Sequence, residues 1–341
     1  MTAAKTQMRR EIEEIPLAVD RLLTEGADAV RQARRCIDHD PTYFLSVARG
    51  TSDHACTFLK YACELGLGLP MASVGPSIAS VYGARLHAHG AVCFAVSQSG
   101  KSPDIVRLTQ SLTDSGATTV AITNDPASPL AHAAHCTVPI CAGPEKSVAA
   151  TKTFVTSLVA GLWLIAELKR DAELIAAIHA LPRLLDASIG CDWSEVTSAV
   201  TGDSAFTLGR GPSWAIANEA ALKFKETCRI HAESYSSAEV LHGPVSIVGP
   251  GFPVLAFAAA DAAEVSLVEV ADALADKGAS VFVTSDKAKT ATRLPHCRTD
   301  HWLTDPIATI TSFYATVEGI AVSRGLNPDT PRHLNKVTET V

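Results

Sequence analysis

Apolar positions along the first 38 residues recur at helical spacing, with Ile12, Ile15, Val19 and Leu22 on one face and Pro16 as a local interruption. From residue 43 the pattern changes. Short β-rich runs at 43–48, 71–74, 92–96, 119–123 and 137–141 are separated by segments long enough for a helix. Such alternation predicts parallel β-α-β units covered on both faces, and so an α/β fold. The longest apolar run, 154–166, is thirteen residues broken by Thr156, Ser157 and Gly161. It is too short to span a bilayer and predicts a helix buried on nearly all sides.

The second half repeats the first at an offset of about 161 residues (Ser46 to Thr207). SVARG at 46–50 answers to TLGRG at 207–211, and LTDSGATTVAITND at 112–125 answers to LADKGASVFVTSD at 274–286. Two matches at nearly one offset imply two doubly wound modules related by duplication. The expected organisation is a helical arm (1–38), a first module (39–170), a helical connector (171–200), a second module (201–328) and a tail (329–341). In doubly wound folds ligands sit beyond the carboxyl ends of the strands.

Composition narrows the class without changing the fold. The 341 residues are 47% apolar with mean hydropathy +0.16, enough for substantial cores. Net charge is −7 with a pI near 5.9, and no run of Lys or Arg stands out. The electrostatic footprint of a nucleic-acid binder is therefore missing, and an anionic ligand must be held locally. Nine scattered cysteines with no C-x-x-C motif read as reduced, mostly buried thiols of a cytoplasmic protein. His132, His135 and Cys136 lack a second pair of ligands and are expected to be strand-edge residues, so no metal and no other cofactor is expected. The N-terminus carries charge where a secretory signal needs an apolar stretch, which predicts neither export nor membrane attachment.

Candidate chemistry gathers at the predicted strand ends. Arg49-Gly50-Thr51-Ser52 follows the first strand, and Ser97-Gln98-Ser99-Gly100-Lys101-Ser102-Pro103-Asp104 follows the third. A strand running into S-x-S-G-x-S and then a helix offers hydroxyls and backbone N–H groups to a tetrahedral anion. Elsewhere such a turn is simply a loop. The duplication supplies a control, because the matching FAAAD at 257–261 has no hydroxyls. A third loop, GPEKSVAATK at 143–152, leads into the apolar helix, where Ser147 to Thr151 can cap the helix, contact a ligand, or both.

The richest stretch is EAALKFKETCRIHAESYSSAEVLHGP at 219–244. Glu219, Lys223 and Glu226 fall at i, i+4 and i+7, which on a helix puts the ammonium between two carboxylates. That arrangement can orient a base; the alternative is a solvated face of exposed ion pairs. The helix is expected to end near Cys228, and a small, polar stretch then closes on His242-Gly243-Pro244, presenting a histidine from a turn.

Together ARGTS, SQSGKSPD, EKSVAATKTF, EAALKFKE, HAESYSSAEVLHGP and the terminal Asn335-Lys336-Val337 resemble the sugar isomerase (SIS) family, specifically the isomerase half of glucosamine-6-phosphate synthase. The resemblance covers nearly the whole chain. It implies two SIS domains, each a five-stranded parallel sheet between helices, in a homodimer whose active sites are shared between subunits. It places Ser97, Gln98, Ser99 and Ser102 on the sugar phosphate, with Thr51, Ser52 and Val148 beside the sugar chain. Glu226 matches the base that moves a proton between C1 and C2, supported by Lys223 and Glu219. His242 matches the residue that opens the ring, supplied by the neighbouring subunit, and Lys336 matches the tail lysine able to form an imine with the open ketose. Three departures lie around the sugar: Ala150 for a serine, Lys101 for an acidic residue, and Leu241 for a lysine.

The chain starts directly at the isomerase arm, which leads us to expect no glutaminase domain and hence no nitrogen donor. ARGTSDH, SQSGKSPD and GPEKSVAATK are the motif variants of the type II glucosamine-6-phosphate deaminases, which this chain resembles more closely. The implied reaction converts glucosamine 6-phosphate to fructose 6-phosphate and ammonia in amino-sugar catabolism. Related alternatives are an aldose-ketose isomerase, a galactosamine-6-phosphate deaminase and a fructosamine-6-phosphate deglycase. An alternative of another class is a non-catalytic phosphosugar sensor.

Overall fold

The computed structural model describes residues 5–336, which divide into two compact units. One comprises residues 17–145, 152–179 and 335–336; the other comprises 5–16, 146–151 and 180–334.

The first unit is built on β1 (Tyr43–Val47), β2 (Met71–Ser73), β3 (Ala91–Ser97), β4 (Thr118–Thr123) and β5 (Cys136–Pro139), in the order β2-β1-β3-β4-β5 with every pairing parallel. The five runs read from apolar patterning are these strands, shifted by at most two residues at their ends. Every residue of β3 is buried, as a central parallel strand covered on both faces requires. Leu45, Val47, Cys93 and Ala95 pack with Ile105, Leu108 and Leu112 of the Pro103–Asp114 helix. The apolar run predicted as a buried helix is the first part of Lys152–Lys169, in which residues 152–166 are all buried.

The second unit holds β6 (Ser204–Gly209), β7 (His231–Ser236), β8 (Pro253–Ala256), β9 (Ser280–Val283) and β10 (Thr292–Arg293), all parallel, in the order β7-β6-β8-β9-β10. This is the first sheet's order again. The duplication extends to backbone angles: Gly50 and Gly211 precede matching helices at φ 54° and 59°, and Gly116 and Gly278 share φ 90° and 89°. In each sheet the chain reverses its direction of winding beside the first strand, which opens a crevice at the carboxyl ends of β1 and β3 in one unit and of β6 and β8 in the other.

The N-terminal arm is three helices, Gln7–Glu13, Ile15–Glu25 and Ala27–Cys36. The first belongs to the second unit, where Arg9 pairs with Glu318 at 2.5 Å and the Gln7 and Met8 N–H groups donate to the Asp329 carboxylate at 2.8 and 2.7 Å. Among the described residues no helix is long and apolar enough to cross a membrane.

Candidate active site

In the first unit, Thr51 and Ser52 open the Thr51–Leu67 helix after β1, and the 97–102 loop follows β3. Both segments thus leave the carboxyl ends of the neighbouring strands β1 and β3, the place where doubly wound folds bind ligands. Within the loop the Gly100 N–H donates to Ser97 Oγ at 3.2 Å and the Lys101 N–H to Ser99 Oγ at 3.3 Å. Gly100 sits at φ +62°, and a Cβ there would lie 2.2 Å from Ser128 Oγ, so the turn admits only glycine. Ser102 is the N-cap of Pro103–Asp114 yet makes no side-chain capping bond, which leaves its hydroxyl beside the helix's positive end. Arg49 reaches across from the β1 loop to Asp104 at 2.5 Å; this carboxylate is buried and ties the two loops together. Neither residue stood out in sequence as a partner of the other, because 55 positions separate them. Asp53, in the first turn after β1, has its pKa raised chiefly by burial.

The second unit's matching loop is occupied by its own side chains. The Ala258 N–H donates to Thr284 Oγ1 and the Ala260 N–H to the Asp305 carboxylate, both at 2.8 Å. Glu264 is held by Ser285, Lys287 and Arg298 at 2.7, 2.5 and 2.7 Å. The Asp305 carboxylate holds the Ala260 N–H, and the Thr284 hydroxyl the Ala258 N–H, at shorter range than the 3.2–3.3 Å bonds in the first unit's loop. The first unit's loop is therefore the easier of the two for an incoming anion to claim.

Glu219, Lys223 and Glu226 do meet. The Pro212–Lys223 helix finishes in a π turn, Phe224–Cys228, rather than in an ordinary α-helical end, and Arg229 follows in the left-handed conformation. Such turns concentrate at functional sites. Lys223 Nζ lies 3.2 Å from Glu219 and 2.5 Å from Glu226. The side chains of Glu219 and Lys223 are wholly buried, while that of Glu226 is 21% exposed. A solvated face of surface ion pairs is thus the wrong description. Burial opposes the lysine's charge, but the two carboxylates outweigh it and raise its pKa. Tyr314 donates to Glu219 at 2.9 Å from a helix 95 positions away, a partner with no local signal in the sequence. Glu226 also borders a cavity of about 570 Å³ whose wall carries Lys225, Arg229 and Arg332. A carboxylate half-open to a cleft and braced from behind by a buried ammonium can exchange a proton with a ligand without swinging away.

The remaining predicted residues stand apart. His242 lies in an exposed turn between two short 3-10 segments and shares no hydrogen bond with Glu226; Leu241 and Ile247 beside it are 49% and 59% exposed. Val148 is pinned by its N–H to Asp329 O at 3.2 Å. Lys336 Nζ binds the buried Glu145 at 2.9 Å. Glu145 also receives the Thr153 N–H at 3.2 Å and its hydroxyl at 2.7 Å. The carboxylate serving the start of the Lys152–Lys169 helix is thus Glu145. His135 bonds Thr119 Oγ1 through Nδ1 at 3.0 Å and Cys136 is buried in β5, the structural roles expected of them.

Two copies of one doubly wound parallel module, a serine loop at the switch point of the first, and a buried carboxylate-lysine-carboxylate cluster in the second define a duplicated α/β fold. The chain belongs to the SIS domain family, which it matches at residues 44–167 and 201–322. It is related to the isomerase half of glutamine–fructose-6-phosphate aminotransferases. The protein of that name from Sulfolobus acidocaldarius is 33% identical over 307 residues, 85% of this chain and 49% of that protein. The chain thus spans about half the length of the curated relatives it matches. Among solved structures, a protein of Silicibacter pomeroyi DSS-3 provisionally named a phosphosugar isomerase is 59% identical with a TM-score of 0.93, over 95% of this chain and all of that one. Glucosamine-6-phosphate deaminase from Thermotoga maritima shares the fold, with a TM-score of 0.73 at 19% identity over 94% of this chain and 100% of that one.

Proposed function

We propose that this chain is a glucosamine-6-phosphate deaminase, releasing ammonia and fructose 6-phosphate. The observation that carries the reading is the buried Lys223 bridging Glu219 and Glu226, with Glu226 left partly open. In this reading the 97–102 loop takes the phosphate and Glu226 removes the C2 proton of the opened sugar. The resulting enolamine is protonated at C1 to the ketimine; water adds at C2, and ammonia leaves. Lys223 holds the carboxylate in place, and placed proton transfer of this kind contributes about 10²- to 10⁴-fold. His242 gives and takes the ring-opening proton, acting from the second subunit of a homodimer. Its exposure beside the apolar Leu241 and Ile247 supports that role.

A second reading, an aldose-ketose phosphosugar isomerase that leaves nitrogen in place, is favoured by the name of the Silicibacter pomeroyi protein. One assay separates the two. Incubation with glucosamine 6-phosphate should yield ammonia and fructose 6-phosphate in equal amounts, and galactosamine 6-phosphate should react more slowly. Ketose formation without ammonia excludes the deaminase.

The phosphate assignment has its own expected outcome. Replacing Ser99 and Ser102 together by Ala removes two hydroxyls that would bond a charged ligand, each worth about 1.5–3 kcal/mol. KM for the phosphosugar should rise about 100-fold or more with kcat much less affected. An unchanged KM would move the phosphate elsewhere.

A further inference from the structure

Outside the residues used above, a pair of partly exposed thiols is placed for chemistry of its own. Cys191 and Cys297, 106 positions apart, bring their sulfurs to 4.0 Å, and both are partly exposed. Each is held from its own side. Cys191 follows the Ala172–Ile189 helix, and the backbone there is gripped by Ser312 Oγ donating to Ser188 O at 2.7 Å. Cys297 is flanked by Arg298, which bonds Glu264 and the Ala258 and Thr284 carbonyls at 2.7, 2.9 and 3.1 Å. The two segments are pinned together by Trp193 Nε1 donating to Pro295 O at 2.7 Å. The sulfurs are thus neighbours because the surrounding chain puts them there.

We propose that Cys191 and Cys297 form a reversible intramolecular disulfide when the protein meets a peroxide. A disulfide requires the sulfurs to close from 4.0 Å to about 2.05 Å, a movement of about 2 Å. The thiolate of one cysteine attacks one peroxide oxygen and becomes a sulfenic acid, with the other oxygen leaving as water. The second cysteine then attacks that sulfur, releasing a second water. Two thiols and one hydrogen peroxide give one disulfide and two waters. Cys56, Cys63 and Cys93 are buried thiols pushed up by desolvation and out of reach of such an oxidant. Closing a loop of this length restricts the unfolded chain and stabilises the fold.

The test treats the purified full chain with hydrogen peroxide and maps its tryptic peptides without reduction. The expected result is a cross-linked peptide joining Cys191 to Cys297, lost on adding dithiothreitol, with Tm raised on the order of 5–10 °C in the oxidised protein. Either Cys297→Ser or Cys191→Ser should abolish the cross-link and the rise in Tm and leave a dimedone-reactive sulfenic acid at the remaining cysteine. Oxidised protein in which both thiols remain free to alkylation, or are oxidised singly without a cross-link, overturns the proposal. If a serine variant fails to fold, the wild-type peptide map decides alone.

Discussion

Glu226→Gln is expected to abolish exchange of the substrate's C2 hydrogen with deuterated water while leaving substrate binding within a few-fold of wild type. The amide keeps the size of the carboxylate and can still rest on Lys223, which lies 2.5 Å from the acid, but it cannot accept a proton at neutral pH. Loss of a placed base costs about 10²- to 10⁴-fold, and kcat should fall by at least that much because no second carboxylate on this helix is open to the cavity: Glu219 is wholly buried. NMR of the recovered sugar reads the exchange directly, and retained exchange excludes Glu226 as the base. The same variant tests the shared site. Mixing inactive Glu226→Gln chains with His242→Asn chains should regenerate activity, since a mixed dimer holds one site with both native residues. No return of activity, under conditions where subunit exchange is shown to occur, places both residues in one chain's site.

Lys223→Ala should be the most destabilising single change in the second unit, by about 3–5 kcal/mol, because it strips the cation from two carboxylates, one of them wholly buried. Urea unfolding reads this as a lowered midpoint at unchanged slope. Adding Glu219→Gln removes the stranded buried charge, and Tyr314 at 2.9 Å can still bond the amide oxygen, so part of the loss should be recovered. A loss below about 1 kcal/mol would mean that water reaches the cluster. The pH sign follows from the raised lysine pKa. A cation favoured in the folded state adds stability that is complete below the unfolded value of about 10.4 and is lost as pH rises through the higher folded value. The wild-type contribution should therefore be flat near neutrality and fade only above about pH 10.

Local pattern alone determined the first module's strands, the duplication and the buried 154–166 run, since short near-continuous apolar runs and a repeated turn signature are written along the chain wherever both faces of a sheet are covered. Strand-end hydroxyls absent from the duplicate pointed to the serine loop and helical spacing to the Glu219, Lys223 and Glu226 cluster, and the motif resemblance then gave both their roles. The i, i+4, i+7 spacing put the three on one face, but it could not say whether that face is wet or dry. Only tertiary packing decided that. Tyr314 arrives from the Asp305–Ser323 helix, and that burial turns a surface-like ion pair into a charge held in low dielectric. The same holds for Arg49 with Asp104, for Glu145 with Lys336, and for the Thr284 and Asp305 contacts that fill the second module's loop. Each pair joins groups far apart in sequence, and their meeting depends on how the chain winds about its sheets, which no local spacing encodes.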